Sequence, residues 1–426
     1  MTRKTLVVAV LAISVPLAAL GQAAAPAAAT PPRATAIVYG TLNVNLQTTD
    51  ARDATTSSQN VSRRGAVSTD SSNVGVRVDA EVRTGLRGLA QCETSANVNG
   101  VSVSGICNRN SRVGLAGAWG TLFYGNWDTP FKAVAYGTKA DDPFLNTDVF
   151  GYQGLMGSPG FNYRSGGWVT GPATPVMGFD VRANNSVAYW SPRWAGLALK
   201  AQVSADTFKN ATGTQDPWLY SAAVNYDSGP LSVLAGYDRH DDGFSLVGIN
   251  GTAGAAFGST AANTAGSATS PISSVDTAWR LGAGYELTSP AGTTTIGALY
   301  EQIGLEQESA PAGALTKFSR QSWQVALRHR SGAHELRARY NSADKGSCTL
   351  SGGAACSTSG HGAQMLALGY WHHVSSSMQL YLAFAQIFND DNARYTFSIG
   401  GSSAVAGSTP RGADPRALGL GARYSF

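Results

Sequence analysis

The sequence predicts an all-β protein, a transmembrane antiparallel β-barrel of sixteen strands. Three observations lead there. Polar and apolar residues alternate with period two, connections alternate between long and short, and the last run alternates up to a closing aromatic residue. Composition permits this fold. The 426 residues include 50 Gly, and only 14% are charged, against the ~25% usual for soluble domains. Mean hydropathy is -0.10, too polar for a helical membrane bundle. A hydrophobic content of 43% argues against a disordered chain. Net charge is +4, or +2 once Arg3 and Lys4 leave with a leader, and no dense Lys/Arg run is present. No nucleic-acid partner is expected.

The leader comes first. Residues 1–24 read as a secretory signal peptide: Arg3 and Lys4 form the charged region, Leu6 to Leu20 the apolar region, and Gln22-Ala23-Ala24 offers small-residue cleavage. Pro16 and the short length disfavour a spanning helix. A short tail, 25–35, then precedes a barrel over 36–426.

The strands follow in order. Val38, Gly40, Leu42, Val44 and Leu46 alternate with Tyr39, Thr41, Asn43 and Asn45. Val74, Val76, Val78, Ala80 and Val82 alternate with Arg77, Asp79 and Glu81. Leu197 to Ser204, Leu231 to Tyr237, Trp279 to Leu287 and Glu335 to Tyr340 repeat the pattern. A helix would need apolar spacings of three and four. Alternation alone also fits a soluble sandwich. The connections separate the two. Long ones fall near 48–71, 94–109, 128–181, 205–218, 239–276, 302–320, 341–362 and 388–416. Between them lie seven short turns, from Arg83-Thr84 to Val374–Met378. Short periplasmic turns and long outer loops mark bacterial barrels, and open strand edges cannot sit in hydrocarbon. Leu418, Leu420, Ala422, Tyr424 and Phe426 close the chain as an amphipathic strand, with Phe426 the expected signal to the barrel-insertion machinery. Tyr285, Tyr300, Tyr340, Tyr370 and Tyr424 suit an interfacial aromatic girdle.

Four Cys remain, Cys92, Cys107, Cys348 and Cys356. In an exported chain an even count reads as disulfides. Three pairings are possible, and proximity favours Cys92–Cys107 and Cys348–Cys356. The spacing does not suit a metal.

The chain resembles the Gram-negative general porins of the trimeric β-proteobacterial type. Val38-Tyr39-Gly40, Val113 to Leu122, Asp128-Thr129-Pro130 and above all Arg182 to Pro192 carry the likeness, with the Tyr370 to Tyr381 hairpin and Phe426. The resemblance implies a channel, a homotrimer and a third loop folded into the lumen. It departs from the family where Thr41, Asn73 and Asn126 stand at often basic positions, and in the turn Val374-Ser375-Ser376-Ser377-Met378.

Length alone leaves the third connection open as a surface loop or an insertion; the resemblance favours insertion, over about 128–181. Its acids Asp141, Asp142 and Asp148 would then form a negative wall, beside Phe144, Phe150, Tyr152, Phe161, Tyr163 and Trp168. Parity turns Arg77, Arg87, Arg112, Arg182, Lys200, Arg280, Arg328, Arg330, Arg337, Arg339 and Arg423 inward. Inward acids are fewer: Asp79, Glu81, Asp238, Glu286, Glu301 and Glu335. The balance predicts mild anion preference. Arg182, Arg77, Arg87 and Arg112 are the leading pore-lining candidates. Each Arg has a plainer reading as a wall salt bridge.

The expected function is passive diffusion of ions and small hydrophilic solutes across the outer membrane, with the lipid bilayer and lipopolysaccharide as surroundings and no cofactor. The alternatives are a non-conducting structural or adhesive barrel and an outer-membrane hydrolase. The sequence has no G-x-S-x-G, H-E-x-x-H or Walker motif. Gly251 to Ser270, small and polar, reads as a surface loop without a core.

Overall fold

The computed structural model describes residues 34–69, 71–98, 105–145, 147–161, 167–168, 178–205, 217–243, 246, 257–260, 273–308, 310–397 and 409–426. The signal peptide, most of the tail and most of Gly251 to Ser270 lie outside them.

Among the described residues nineteen strand segments form one sheet. Two segments join as one barrel strand and two short pieces lie beside the wall, which leaves sixteen. These are β1 (Ala34–Arg52), β2 (Val61–Ser68 with Asn73–Arg83), β3 (Leu86–Ser95), β4 (Ser111–Gly117), β5 (Gly120–Asp128), β6 (Arg182–Trp190), β7 (Leu197–Ala205) and β8 (Trp218–Ser228). They continue as β9 (Leu231–Asp241), β10 (Ser274–Ser289), β11 (Gly292–Gln307), β12 (Leu315–Ser331), β13 (His334–Ala343), β14 (Ala363–His373), β15 (Met378–Asn389) and β16 (Asp414–Ser425). Each pairs antiparallel with the next. The barrel closes where β1 meets β16, from Thr41 opposite Ser425 to Arg52 opposite Asp414. Gly40 and Phe426 exchange backbone hydrogen bonds at 3.0 and 3.1 Å. A Cβ at Gly40 would sit 2.7 Å from the Phe426 ring, so glycine is needed there.

The outer face is apolar. Leu46 is 62% exposed, and Val76, Leu199, Leu281 and Leu420 also point outward. Tyr220 and Tyr226 on β8, and Trp279 and Tyr285 on β10, stand six residues apart on this face. At ~3.4 Å per residue that separates two aromatic rows by roughly 20 Å along the strand, in keeping with an apolar band of about 25 Å. Inward positions carry Asn43, Asn45, Gln47 and Thr49 on β1, all buried.

All seven short turns fall where expected. The long connections shrink. Thr48 to Ala51 pair with Val61 to Gly65 inside the span 48–71, and β11 and β12 extend into 302–320. Thr48 to Asp50 are polar on both faces, and in 302–320 the apolar residues Ile303, Leu305 and Phe318 turn inward instead of toward lipid, so the outward apolar row stops while the ladder continues. Both disulfides form as proximity favoured: Cys92–Cys107, with Cα atoms 4.7 Å apart, and Cys348–Cys356, 5.9 Å apart. One expectation is corrected. Phe257, the single aromatic of Gly251 to Ser270, is fully buried against Phe161, Phe318 and His361. It has an apolar face to lose to water, whatever the composition around it.

Candidate functional site: the channel lumen

The third connection leaves β5, folds inward and returns to β6. Its base is a charge cluster. Asp128 bridges Lys132 at 2.9 Å and Arg182 at 3.1 Å, and Arg182 Nε donates to Asn110 Oδ1 at 2.8 Å. Arg182 is 16% exposed. It closes the loop base rather than offering its charge to the lumen.

The loop lies on the inner wall from β8 to β16. Phe131 N donates to Ser221 Oγ at 3.0 Å and Lys139 N to Ser232 Oγ at 3.2 Å. Gly284 and Gly297 face each other across β10 and β11. A Cβ at Gly284 would overlap the Lys139 carbonyl carbon, and one at Gly297 would sit 2.8 Å from Ala140 Cα. Paired glycines thus make a flat seat for loop backbone. Phe150 packs in the same manner against Gly419 on β16.

Buried arginines fasten the loop. Arg280 bridges Glu301 at 2.5 Å and Asp180 at 3.4 Å, and donates to Tyr152 Oη at 3.0 Å. Glu301 also accepts the Gly157 N–H at 2.7 Å. Arg320 donates to the carbonyls of Leu155, at 2.8 Å, and Ser158. Arg339 grips both oxygens of Asp142, at 2.9 and 2.8 Å. Arg337 donates to Pro143 O and bridges Glu335, each at 2.5 Å. A buried charge without such partners is very costly. Wall and loop therefore specify each other. Burial pushes the Asp180 carboxyl up to about 6, against the pull of Arg280.

On the opposite wall the described residues leave a cavity open along β2 to β6, while the inward side chains Asn43 to Thr49 of β1 are buried. Arg77, Gln91 and Arg112 stand in one transverse row across β2, β3 and β4. Arg77 and Arg112 make no ion pair among the described residues. Arg77 lies over the Tyr39 ring at 5.9 Å. Arg112 lies over Trp127, Phe123 and Trp190 at 4.6, 5.1 and 5.2 Å. Arg87 is bridged to Asp79 at 2.8 Å and stays largely exposed. A cavity of about 520 Å³ is bordered by Arg77, Arg87, Arg112, Thr121 and Trp190.

The predicted acids part ways. Asp142 is neutralised inside the loop–wall contact and adds nothing to a negative wall. Asp141 borders a smaller cavity of about 170 Å³ with Lys139, Arg328, Arg337 and Arg423. The Asp148 side chain, like Tyr163 and Trp168, lies outside the described residues. Among the inward bases, Arg280, Arg337 and Arg339 are sequestered beneath the loop, whereas Arg77, Arg87 and Arg112 reach the lumen. The sequence reading missed the inward rings of Phe123, Trp127 and Trp190. Phe123 and Trp127 share odd parity on β5, and Trp190 has the even parity of Ser186 beyond the bulge in β6, a pattern that was there to be read.

Sixteen strands enclose room for an aqueous passage, and an inserted loop narrows it: this is the architecture of a porin-type outer-membrane barrel. The chain belongs to the Gram-negative porin family, whose sequence profile matches residues 12–392. It is an outer-membrane protein and not an enzyme. The major outer membrane protein P.IB of Neisseria gonorrhoeae is 28% identical over 236 residues, 54% of this chain and 59% of that protein. The match thus spans less than two thirds of that relative. Among solved structures, the anion-selective porin from Comamonas acidovorans shares the fold with TM-score 0.66 at 19% identity, covering 92% of this chain and 100% of the other. OmpT of Vibrio cholerae in its trimer form gives 0.58 at 18% identity, covering 92% and 99%.

Proposed function

We propose that this barrel conducts ions and small hydrophilic solutes passively across the outer membrane, with mild anion preference, as a homotrimer. One observation carries the sign of selectivity. Among the described residues Arg77 and Arg112 stand at the open cavity without acid partners, while Asp142 of the loop is held by a buried arginine. Charges fixed on strands bias which ions enter a pore. The trimer rests on the family resemblance, with the trimer form of the Vibrio structure alongside.

The test is single-channel recording of purified protein in a planar bilayer under a KCl gradient. Conductance steps in threes with an anion-side reversal potential are expected. A cation-side potential would overturn the role given to Arg77 and Arg112. Heat-modifiable, folded protein that passes no current would sink the channel reading and favour a structural barrel.

A further inference from the structure

Barrel interiors are ordinarily polar, and most of this one obeys: Asn43, Asn45, Gln47, Gln202 and Ser204 all face inward. Inward aromatic rings on β8 to β16, such as Trp371 beside Phe144, are covered by the inserted loop. Three rings on the open wall have no such cover. Phe123, Trp127 and Trp190 pack edge to face, with centroids 4.9 to 5.4 Å apart. Arg112 lies across all three, and its Nε and Nη1 are buried without an acceptor. The rings hold the guanidinium in place, and among the described residues no carboxylate pairs with it. Lys200 Nζ stands 5.5 Å from the Trp190 ring. Of the nearby acids, Asp79 is taken by Arg87. Trp190, Arg112 and Arg77 border the same 520 Å³ cavity.

We propose that this platform is a transit subsite for planar aromatic carboxylates: the ring packs on the Trp190–Arg112 platform and the carboxylate meets Arg112 and Arg77. The chemistry asks for both halves of such a solute. A stacked guanidinium attracts π-systems and binds carboxylates through its remaining N–H edge. An aliphatic acid would use only the charge. An aromatic amine would offer the ring but bring a cation to a cationic wall. The assignment rests on the channel reading and deepens it by naming a solute class.

Benzoate, acetate and benzylammonium are added in turn to one side of wild-type channels conducting KCl in a planar bilayer. Benzoate is expected to interrupt the current at roughly fivefold lower concentration than acetate or benzylammonium, the scale of one favourable ring contact. Trp190→Ala should reduce benzoate to the level of acetate, and Arg112→Gln should weaken benzoate and acetate together. Variants are scored only if they migrate as heat-modifiable barrels; the wild-type comparison decides the matter without them. A channel that passes KCl yet treats benzoate like acetate overturns the subsite alone. Absence of KCl current overturns the channel reading beneath it.

Discussion

Asp142 gives both carboxylate oxygens to Arg339, whereas Asp141, one residue earlier, accepts the Gly137 N–H at 2.8 Å and has no ion pair among the described residues. Burial, with the Asp142 charge adding to it, pushes the Asp141 carboxyl from 3.8 up to about 7. The sign follows from which form the fold prefers. A raised carboxyl is favoured protonated, so its ionisation costs stability as pH rises from the unfolded value through about 7. The same ionisation places a negative charge beside Lys139, Arg328 and Arg423. Anion preference should therefore be highest below pH 7 and weaken over the unit above it. In Asp141→Asn the reversal potential should stay flat across that window. An unchanged slope in the variant would remove Asp141 from the account.

At the scale of elements, the seat of the loop decides the shape of the passage. Gly284→Ala inserts a methyl where Lys139 backbone lies, an overpacking that costs about 1–3 kcal/mol. The loop should lift, giving larger and noisier single-channel currents and a lower temperature of heat modification. Wild-type currents from the variant would mean the loop does not bear on β10. The strands themselves were legible in the sequence because lipid outside and water inside impose one period on Val74 to Arg83 and Leu231 to Tyr237. Above the membrane that contrast disappears, and Thr48 to Ala51 pair without advertising it. Parity turned Arg280, Arg339, Arg77 and Arg112 inward alike. It says which way a side chain points and nothing of what waits there. Only the fold of the third loop separates the two buried arginines from the two that meet the lumen. Arg182 illustrates the same limit: its motif placed it beside the loop, and its pairing with Asp128 made it part of the base.

For the whole molecule, closure is the decisive event, since an unpaired edge cannot remain in hydrocarbon. The seam between β1 and β16 carries it, ending in the Gly40–Phe426 contact and the stacking of Phe426 on Tyr424, with ring centroids 6.0 Å apart. Phe426→Ala should lower the fraction of urea-denatured protein that refolds into heat-modifiable barrel in lipid vesicles. Refolding at the wild-type yield would show that the seam closes without this ring. The order of strands around the seam has another result. The described part of the loop rests on β8 to β16 and leaves a cavity open along β2 to β4, so the molecule divides its labour between a foundation half and a working half. Arg77 and Arg112 on the working half hold no part of the described loop, so selection can retune what passes there without disturbing what holds it. Related barrels should then diverge fastest at the cavity-lining positions of β2 to β4, and slowest at the buried arginines and the glycines that seat the loop.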